Sequence, residues 1–403
     1  MKAISGGVCA AKGFTASGVH CGIRKNRTKR DVALIFSERR AAAAACYTQN
    51  LVKGAPIYVT KKNIADGYAQ AMICNSGNAN TCNANGIEIA EETCALLGAE
   101  LGIPASDVIV ASTGVIGQPM SIEPFKVGIP ALHAALGAGS KDAAEGIMTT
   151  DTRMKEVAFS FEVGGVECKI GAIAKGSGMI HPNMATMLIF ITTDCAISPA
   201  MLQAALSEDV KSSFNMISVD GDTSTNDMVS IMANGLAGNA EITAPGADFD
   251  AFCEALAAIT HTLCPLIARD GEGATRLVTC TVRGAKTQKD AVILSKSVIC
   301  SSLVKAAMFG ADANCGRIMC AMGYSGAELD VTKADVSYIS KAGEIMVCRD
   351  GNGLVFDEDL AKAILMEEEI TVAVQLQDGD YEATAWGCDL TYDYVKINGD
   401  YRT

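Results

Sequence analysis

Residues 180–194 read IHPNMATMLIFITTD, where a turn runs directly into the most apolar strand candidate of the chain. The run at 187–191 is typical of a fully buried strand. Gly178 and Pro182 predict a bend ahead of it, because both residue types mark turns. Thr186 is expected to open the strand, and two interpretations are possible. It is either an ordinary strand-forming residue or a hydroxyl held at a strand end for chemistry.

Composition indicates a globular protein with a large core. The chain has 403 residues, of which 49% are hydrophobic and 20% charged, enough for two or three domains. The net charge of −13 argues against nucleic acid as a partner, because nucleic-acid affinity depends on clustered Lys and Arg. The basic residues within 24–30 are expected to form a solvated hairpin.

Cysteine and histidine patterns predict neither disulfides nor a metal site. The 16 cysteines are scattered without a C-x-x-C pair, which is typical of small buried side chains in a reducing compartment. The four histidines are far apart, so no metal-binding pair on one helix is expected. No signal-peptide pattern and no run of about 18 uncharged apolar residues is found. We therefore expect a cytoplasmic protein without a membrane partner.

Short strands and helices alternate along the chain, which predicts a mixed α/β or α+β architecture. Strands are predicted at 56–60 and at 370–376, the second with alternating apolar residues. One helix is expected after the N-cap Ser198, and another from about Asp248 until Pro265 disturbs it. A change of character near residue 275 predicts a smaller C-terminal unit from there.

Two Gly-containing motifs do not fit common ligand loops. In AKGSGMIHPN, residues 174–183, Lys175 precedes the glycines and a strand follows, so a P-loop is excluded. SVDGDTSTND, residues 218–227, begins like a calcium loop, but Thr225 replaces the required glycine and Ile231 the required glutamate. A hydrogen-bonded turn is the favoured interpretation.

The sequence contains no G-x-S-x-G motif, and its scattered histidines do not indicate a Ser-His-Asp system. A threonine can act without histidine if the bond before it is cut, because its freed α-amine, of pKa about 7.7–8.0, then serves as the base. Thr186 has the turn and strand context that such a residue requires. From the sequence pattern alone, Thr186 could also be an ordinary strand-forming residue without a chemical role.

Several separated motifs carry a resemblance over essentially the whole chain. They are ASTGVIG (111–117), MTTDT (148–152), AKGSGMIHPNMATML (174–188), DGDTSTND (220–227), RDGEGATR (269–276) and YVKINGDYRT (394–403). In these the sequence resembles the ornithine acetyltransferase family, also called the arginine-biosynthesis bifunctional glutamate N-acetyltransferases. The resemblance implies an N-terminal-nucleophile-like two-domain sandwich of the β-aminopeptidase/ornithine-acetyltransferase type.

The resemblance also implies an activity and a maturation step. Family members cut themselves in the MAT motif, here between Ala185 and Thr186, which gives an α chain of 1–185 and a β chain of 186–403. The fragments are expected to assemble as a heterotetramer. Acetyl would pass from N2-acetyl-L-ornithine to L-glutamate through an acetyl-Thr186 ester, in a ping-pong mechanism without a cofactor. Acetyl-CoA is a possible further acetyl donor.

The site residues implied by the resemblance fall into two groups. Thr113 and Gly114 would form the oxyanion hole. The substrate contacts would be Thr149, Lys175, Thr186, Glu272, Asn398 and Thr403. Lys175 suits a carboxylate and Glu272 an ammonium group of an amino-acid substrate. Family members usually have tryptophan where this chain has Cys315, which predicts a changed pocket shape.

Two other functions are compatible with the sequence. A β-aminopeptidase-like hydrolase of the same architecture would transfer the acyl group to water. A catalytically silent binding protein would keep the fold but remain a single uncut chain. The full set of substrate-contact positions favours the acetyltransferase.

Overall fold

The computed structural model describes residues 1–26, 28–181 and 187–399, and these form two β-sheets with helices packed on them. The strands are β1 Lys2–Ala3, β2 Phe14–Val19, β3 Val32–Tyr47, β4 Tyr68–Asn78, β5 Val108–Val115, β6 Lys155–Val163, β7 Val166–Lys175, β8 Leu188–Thr193, β9 Ile217–Ser218, β10 Met228–Ala233, β11 Leu277–Ala285, β12 Asp335–Ser340, β13 Gly343–Arg349, β14 Asn352–Gly353, β15 Glu369–Gln375 and β16 Tyr381–Cys388. The helices are α1 Ala55–Asn63, α2 Gly86–Leu101, α3 Glu123–Ala134, α4 Ser140–Ile147, α5 Pro199–Ser212, α6 Ala247–Arg269, α7 Gln288–Cys300, α8 Ser302–Gly310, α9 Cys315–Gly323, α10 Glu358–Leu365 and α11 Tyr392–Asn398.

The first sheet has β8 and β10 at its centre, in the order β1-β6-β7-β8-β10-β3-β4-β5, with β2 also paired to β3. β8 and β10 are parallel, and Leu188 lies opposite Met228. β7 is antiparallel to β8 and brings Lys175 opposite Leu188 on the other side. All residues of β8 and β10 are buried, as expected for strands covered on both faces. The predicted buried strand is confirmed, whereas Thr186 lies outside the described residues.

The second sheet has the order β14-β13-β12-β15-β11-β16-β9. In β15, Ile370, Val372 and Val374 are buried and alternate with more exposed residues, as the sequence pattern predicts. α7 packs on β11 and β16. The edge strand β9 comes from much earlier in the chain, and the residues that follow it lead into β10 of the first sheet.

Both faces of the first sheet are covered by helices. Ile189 and Ile191 of β8 belong to the core that α5 and α6 cover. Leu188 and Phe190 point to the opposite core, where α4 contributes Ile147. Because neighbouring strand residues alternate between faces, β8 is part of two cores at once.

Two local predictions are wrong. The segment predicted as a strand at 56–60 belongs to α1, and Pro56 is tolerated there because it lies in the first turn, where its missing N–H costs nothing. α6 continues through Pro265 to Arg269, since the flanking buried residues Leu263 and Ile267 hold it in place. The N-cap prediction is confirmed, because Ser198 Oγ accepts a hydrogen bond from the Met201 N–H at 3.5 Å.

Within the described ranges, α6 is the one continuous helix that is long and apolar enough to cross a membrane, and the bent pair α7 and α8 passes the same test together. The buried stripe of α6, which includes Phe252, Leu256 and Ile259, packs in the core beside β6 and β7. Its apolar composition therefore has a structural use within this fold.

Candidate functional site

A polar pocket lies where β5 and β7 end, and it brings together six of the residues that the sequence predicts for the site. They are Thr113, Gly114, Thr149, Lys175, Glu272 and Asn398. The three remaining predicted positions, Ala185, Thr186 and Thr403, lie outside the described residues. Cys315, by contrast, packs with the core of the second sheet and is not among the described residues that line the pocket.

At Gly114 the backbone of β5 lies close against that of β4. Its φ of +132° is a backbone conformation that residues with a side chain rarely adopt. A Cβ at this position would lie 2.3 Å from the Gly77 carbonyl carbon. The pairing of the two strands shifts in register at this point, as in a β-bulge. Only glycine therefore fits, and its position fixes the end of β5 at the pocket.

Asn226 ties this strand end to a neighbouring loop. Its side-chain amide donates to the carbonyl oxygens of Ala79, at 2.5 Å, and Ser112, at 3.0 Å. Its Oδ1 accepts from the hydroxyls of Thr81 and Thr225, at 2.6 and 2.5 Å. Because all of the side-chain capacity of Asn226 is used, it holds the backbone around Thr113 in one place.

Lys175 ends β7 beside a buried network of charges. Asp151 accepts hydrogen bonds from the N–H groups of Thr149 and Gly176, at 3.0 and 2.7 Å, so it holds the backbone at Thr149 and next to Lys175, both of which line the pocket. Lys155 Nζ lies 2.8 Å from Asp151 Oδ1 and 2.5 Å from Asp270 Oδ2. Burial opposes ionisation of Asp151, but the charges of Lys155 and Lys175 outweigh it and hold the pKa of that carboxyl below its usual range.

Glu272 is the acidic group of the pocket, and only 8% of it is exposed. One carboxylate oxygen accepts from the Thr150 hydroxyl and the other from the Asn398 amide, both at 2.7 Å. Gly178 leaves room for this carboxylate, because a Cβ at that position would lie 2.3 Å from Glu272 Cδ and the Glu272 side chain would have to move. Glu272 is therefore fixed, while its charge has no cation bonded to it among the described residues.

Asp227 is a buried carboxyl that sequence reasoning missed. It precedes β10 as Met187 precedes β8, so the two residues are neighbours at the pocket end of the parallel pair. Burial raises the pKa of the Asp227 carboxyl well above its usual value, against the opposing effects of a Ser224 hydrogen bond and the Lys175 charge. Within the described part of the chain its Oδ2 has no hydrogen-bond partner.

The motifs that carry the resemblance also contain four residues that were not predicted for the site, namely Asp151, Asp270, Asn226 and Asp227. Membership of these motifs was the sequence signal that could have identified them. What the sequence could not give was their roles. Those depend on contacts such as Lys155 to Asp270 that join distant parts of the chain.

The pocket collects charged and hydrogen-bonding groups from several separate elements in a fixed arrangement, and convergent polar groups of this kind orient the ligand in small-molecule sites. The family model that matches residues 15–403 is that of the ArgJ family. The arginine biosynthesis bifunctional proteins ArgJ of Symbiobacterium thermophilum and Caldanaerobacter subterraneus subsp. tengcongensis are 51% and 49% identical, each over 100% of both chains. The crystal structure of the Bacillus halodurans protein of the same name is 44% identical, covers 52% of this chain and 97% of that chain, and gives a TM-score of 0.50. This chain belongs to the ArgJ family, which confirms the predicted family and fold class.

Proposed function

We propose that this enzyme of arginine biosynthesis transfers the acetyl group of N2-acetyl-L-ornithine to L-glutamate. The observation that carries the proposal is the buried pair of opposite charges in one pocket, Lys175 and Glu272, in a chain of the ArgJ family. Both side chains are only 8% exposed, so each gains from a partner of opposite sign. An amino acid brings such partners in its carboxylate and ammonium groups.

The nucleophile of the proposal is Thr186, released by self-cleavage. Its Oγ attacks the Ala185 carbonyl carbon, the peptide C–N bond breaks as the ester C–O bond forms, and the new α-amine takes the hydroxyl proton. Water then hydrolyses the ester, which leaves a carboxylate on Ala185 and a free amine on Thr186. This amine becomes the base for acetyl transfer.

Acetyl transfer follows in two halves. Thr186 Oγ attacks the acetyl carbonyl of acetylornithine, and the α-amine carries the hydroxyl proton to the departing amine of ornithine. The acetyl-Thr186 ester is then attacked by the amine of glutamate, and N-acetylglutamate leaves as the hydroxyl is restored. The free base form of the amine is required in both halves.

Thr113 and Gly114 are proposed to stabilise the oxyanion of each tetrahedral intermediate. Their support is the fixed end of β5, which Gly77 packs against and Asn226 braces. Donors that need no rearrangement during the reaction are worth about 3–4 kcal/mol each in comparable sites.

The substrate contacts of the proposal are Thr149, Lys175 and Glu272, with Asn398 and Thr403 from the end of the chain. Asn398 already donates to Glu272, which places the last described helix against the pocket. Lys175 is assigned to the substrate carboxylate and Glu272 to an ammonium group.

The fragments 1–185 and 186–403 are proposed to remain together as a heterotetramer. The matched Bacillus halodurans chain is aligned over nearly its full length yet covers only about half of this chain, so it has the size of one such fragment. N-terminal sequencing of the purified protein should return Thr-Met-Leu-Ile for one fragment. A Thr186→Ala variant should stay a single chain.

The acetyltransferase is tested with acetylornithine that carries a labelled acetyl group. The label should appear on the fragment that begins at Thr186, and in N-acetylglutamate once glutamate is added. Label released as acetate without glutamate would favour a hydrolase instead. A parallel reaction with acetyl-CoA and glutamate alone tests our further proposal that acetyl-CoA can also acetylate Thr186.

A further inference from the structure

The residues just before the proposed cleavage segment are held by a single carboxylate. Asp220 Oδ2 accepts a hydrogen bond from the Met179 N–H at 2.6 Å, and its Oδ1 accepts from the Ile180 N–H at 2.9 Å. The Ile180 carbonyl in turn accepts from the Val219 N–H at 2.7 Å. Three bonds therefore join 179–180 to 219–220.

His181, the last described residue before 182–186, is held by the same stretch of chain. Its carbonyl accepts a hydrogen bond from the Thr223 hydroxyl at 2.7 Å. Its ring Nδ1 lies 3.1 Å from Ser218 Oγ. Both the backbone and the side chain of His181 are thus fixed by residues of 218–223.

The other flank has an anchor from further along this stretch. The Met187 carbonyl accepts a hydrogen bond from the Met228 N–H at 2.9 Å. We call residues 218–228 the bracing loop. It contacts the chain immediately before and immediately after 182–186, and Asn226 within it also holds the end of β5.

The backbone before the segment has a conformation that requires such support. Met179 has a φ of +55°, in the left-handed region that non-glycine residues rarely adopt. Strained residues of this kind persist only when their surroundings determine them. The Asp220 carboxylate is bonded directly to the Met179 N–H, and the Tyr394 hydroxyl lies 3.3 Å from the same carboxylate oxygen.

We propose that the bracing loop positions the Ala185–Thr186 bond for self-cleavage, with Asp220 and Thr223 as its positioning residues. This inference rests on the cleavage proposed above. Attack of a hydroxyl on the neighbouring carbonyl is fast only when the reacting atoms are held close to their reactive geometry. Fixing both flanks of a short segment restricts the conformations that the intervening bonds can take. In the motif at 218–227, which begins like a calcium loop, Asp220 therefore serves to bind the backbone N–H groups of Met179 and Ile180.

The test follows fragment formation over time in freshly purified, uncut protein, by intact mass. In Asp220→Asn, the amide keeps one acceptor but turns a donor toward a backbone N–H, so we expect cleavage to be at least about tenfold slower than in the wild type. Thr223→Val, which removes only the bond to the His181 carbonyl, should slow cleavage severalfold. Asp222→Asn is the matched control, because its exposed side chain lies on the same turn, and it should cut at the wild-type rate.

Two further measurements separate positioning from stability. The thermal midpoint of Thr223→Val should match that of Asp222→Asn, so that slower cleavage in the former reflects geometry. Hydroxylamine, which opens esters but not amides, should leave the uncut fraction of the slow variants intact, because the attack itself is impaired. Fragments released by hydroxylamine at the wild-type rate would overturn the proposal.

The outcomes also separate this inference from the proposed function. Wild-type protein that never cuts would overturn both. Wild-type protein that cuts, with folded Asp220→Asn and Thr223→Val cutting equally fast, would overturn the bracing loop alone.

Discussion

Lys155 and Asp151 form a fully buried ion pair, with Nζ 2.8 Å from Oδ1 and neither side chain more than 1% exposed. Asp270 Oδ2 lies 2.5 Å from the same Lys155 Nζ, so one cation pairs with two carboxylates. Because Asp151 also binds the Thr149 and Gly176 N–H groups, the pair connects core stability to the shape of the pocket.

Removal of the Lys155 charge should destabilise the protein strongly. Lys155→Met leaves two buried carboxylates without their cation, and breaking a buried pair in this way costs about 3–5 kcal/mol. The free energy of unfolding from urea titration measures the loss. Lys211→Met is the control, since its pair with Glu208 is exposed and should be worth less than about 1 kcal/mol. Equal losses in the two variants would contradict this account.

A side chain at position 114 should damage catalysis. Gly114→Ala puts a Cβ against the Gly77 backbone, so the end of β5 must shift away from its proposed place at the oxyanion. We expect kcat to fall about 100- to 1000-fold, the usual cost of one lost oxyanion donor. Gly117→Ala controls for backbone strain, because Gly117 also has a positive φ but nothing within 4 Å of its Cβ. Steady-state kinetics should show the loss only at position 114.

Neutralising Glu272 should weaken substrate binding. Glu272→Gln keeps the size of the side chain but removes the charge proposed to bind an ammonium group. A hydrogen bond to a charged group is worth about 1.5–3 kcal/mol, which corresponds to a rise in KM of about 10- to 100-fold. Glu241→Gln, at an exposed position, should leave KM unchanged. A wild-type KM in Glu272→Gln would remove Glu272 from the substrate site.

Acid should destabilise the protein through His181. Burial and the nearby Lys296 charge lower the pKa of its ring from 6.5 to about 4, against the pull of Asp222. Between these values the unfolded chain binds a proton that the folded chain does not, so stability falls as the pH drops through this window and this effect is absent above about pH 6.5. His181→Gln should therefore lose less free energy of unfolding than the wild type between pH 7 and pH 5. Equal losses would contradict the prediction.

The sequence predicted best those features that depend on neighbouring residues. Ser198 and Pro199 gave the start of α5, and the apolar run gave β8, because caps and burial patterns are local signals. The segment at 56–60 was predicted wrongly, since its short apolar run fits a strand or a helix equally well and the packing of α1 against β5 decides.

The sequence predicted several residues of the site but not the contacts between them. Family motifs supplied Thr113, Gly114 and Glu272, and the structure places them in one pocket. The bond from Lys155 to Asp270 joins residues 115 positions apart, and no periodicity in the sequence reports such a contact. Asp220 was excluded as a calcium ligand, yet its bonds to Met179 and Ile180 could be found only from the three-dimensional arrangement.

The strand order of the first sheet gives a cut before Thr186 an unusual consequence. β8 and β10 follow that position in the chain, while their outer neighbours β7 and β3 precede it. The two polypeptides would thus be interlocked along two seams of backbone hydrogen bonds, and neither could leave without tearing the sheet apart. Such a molecule would melt as one cooperative unit, and because melting would separate two chains, its melting temperature would fall on dilution.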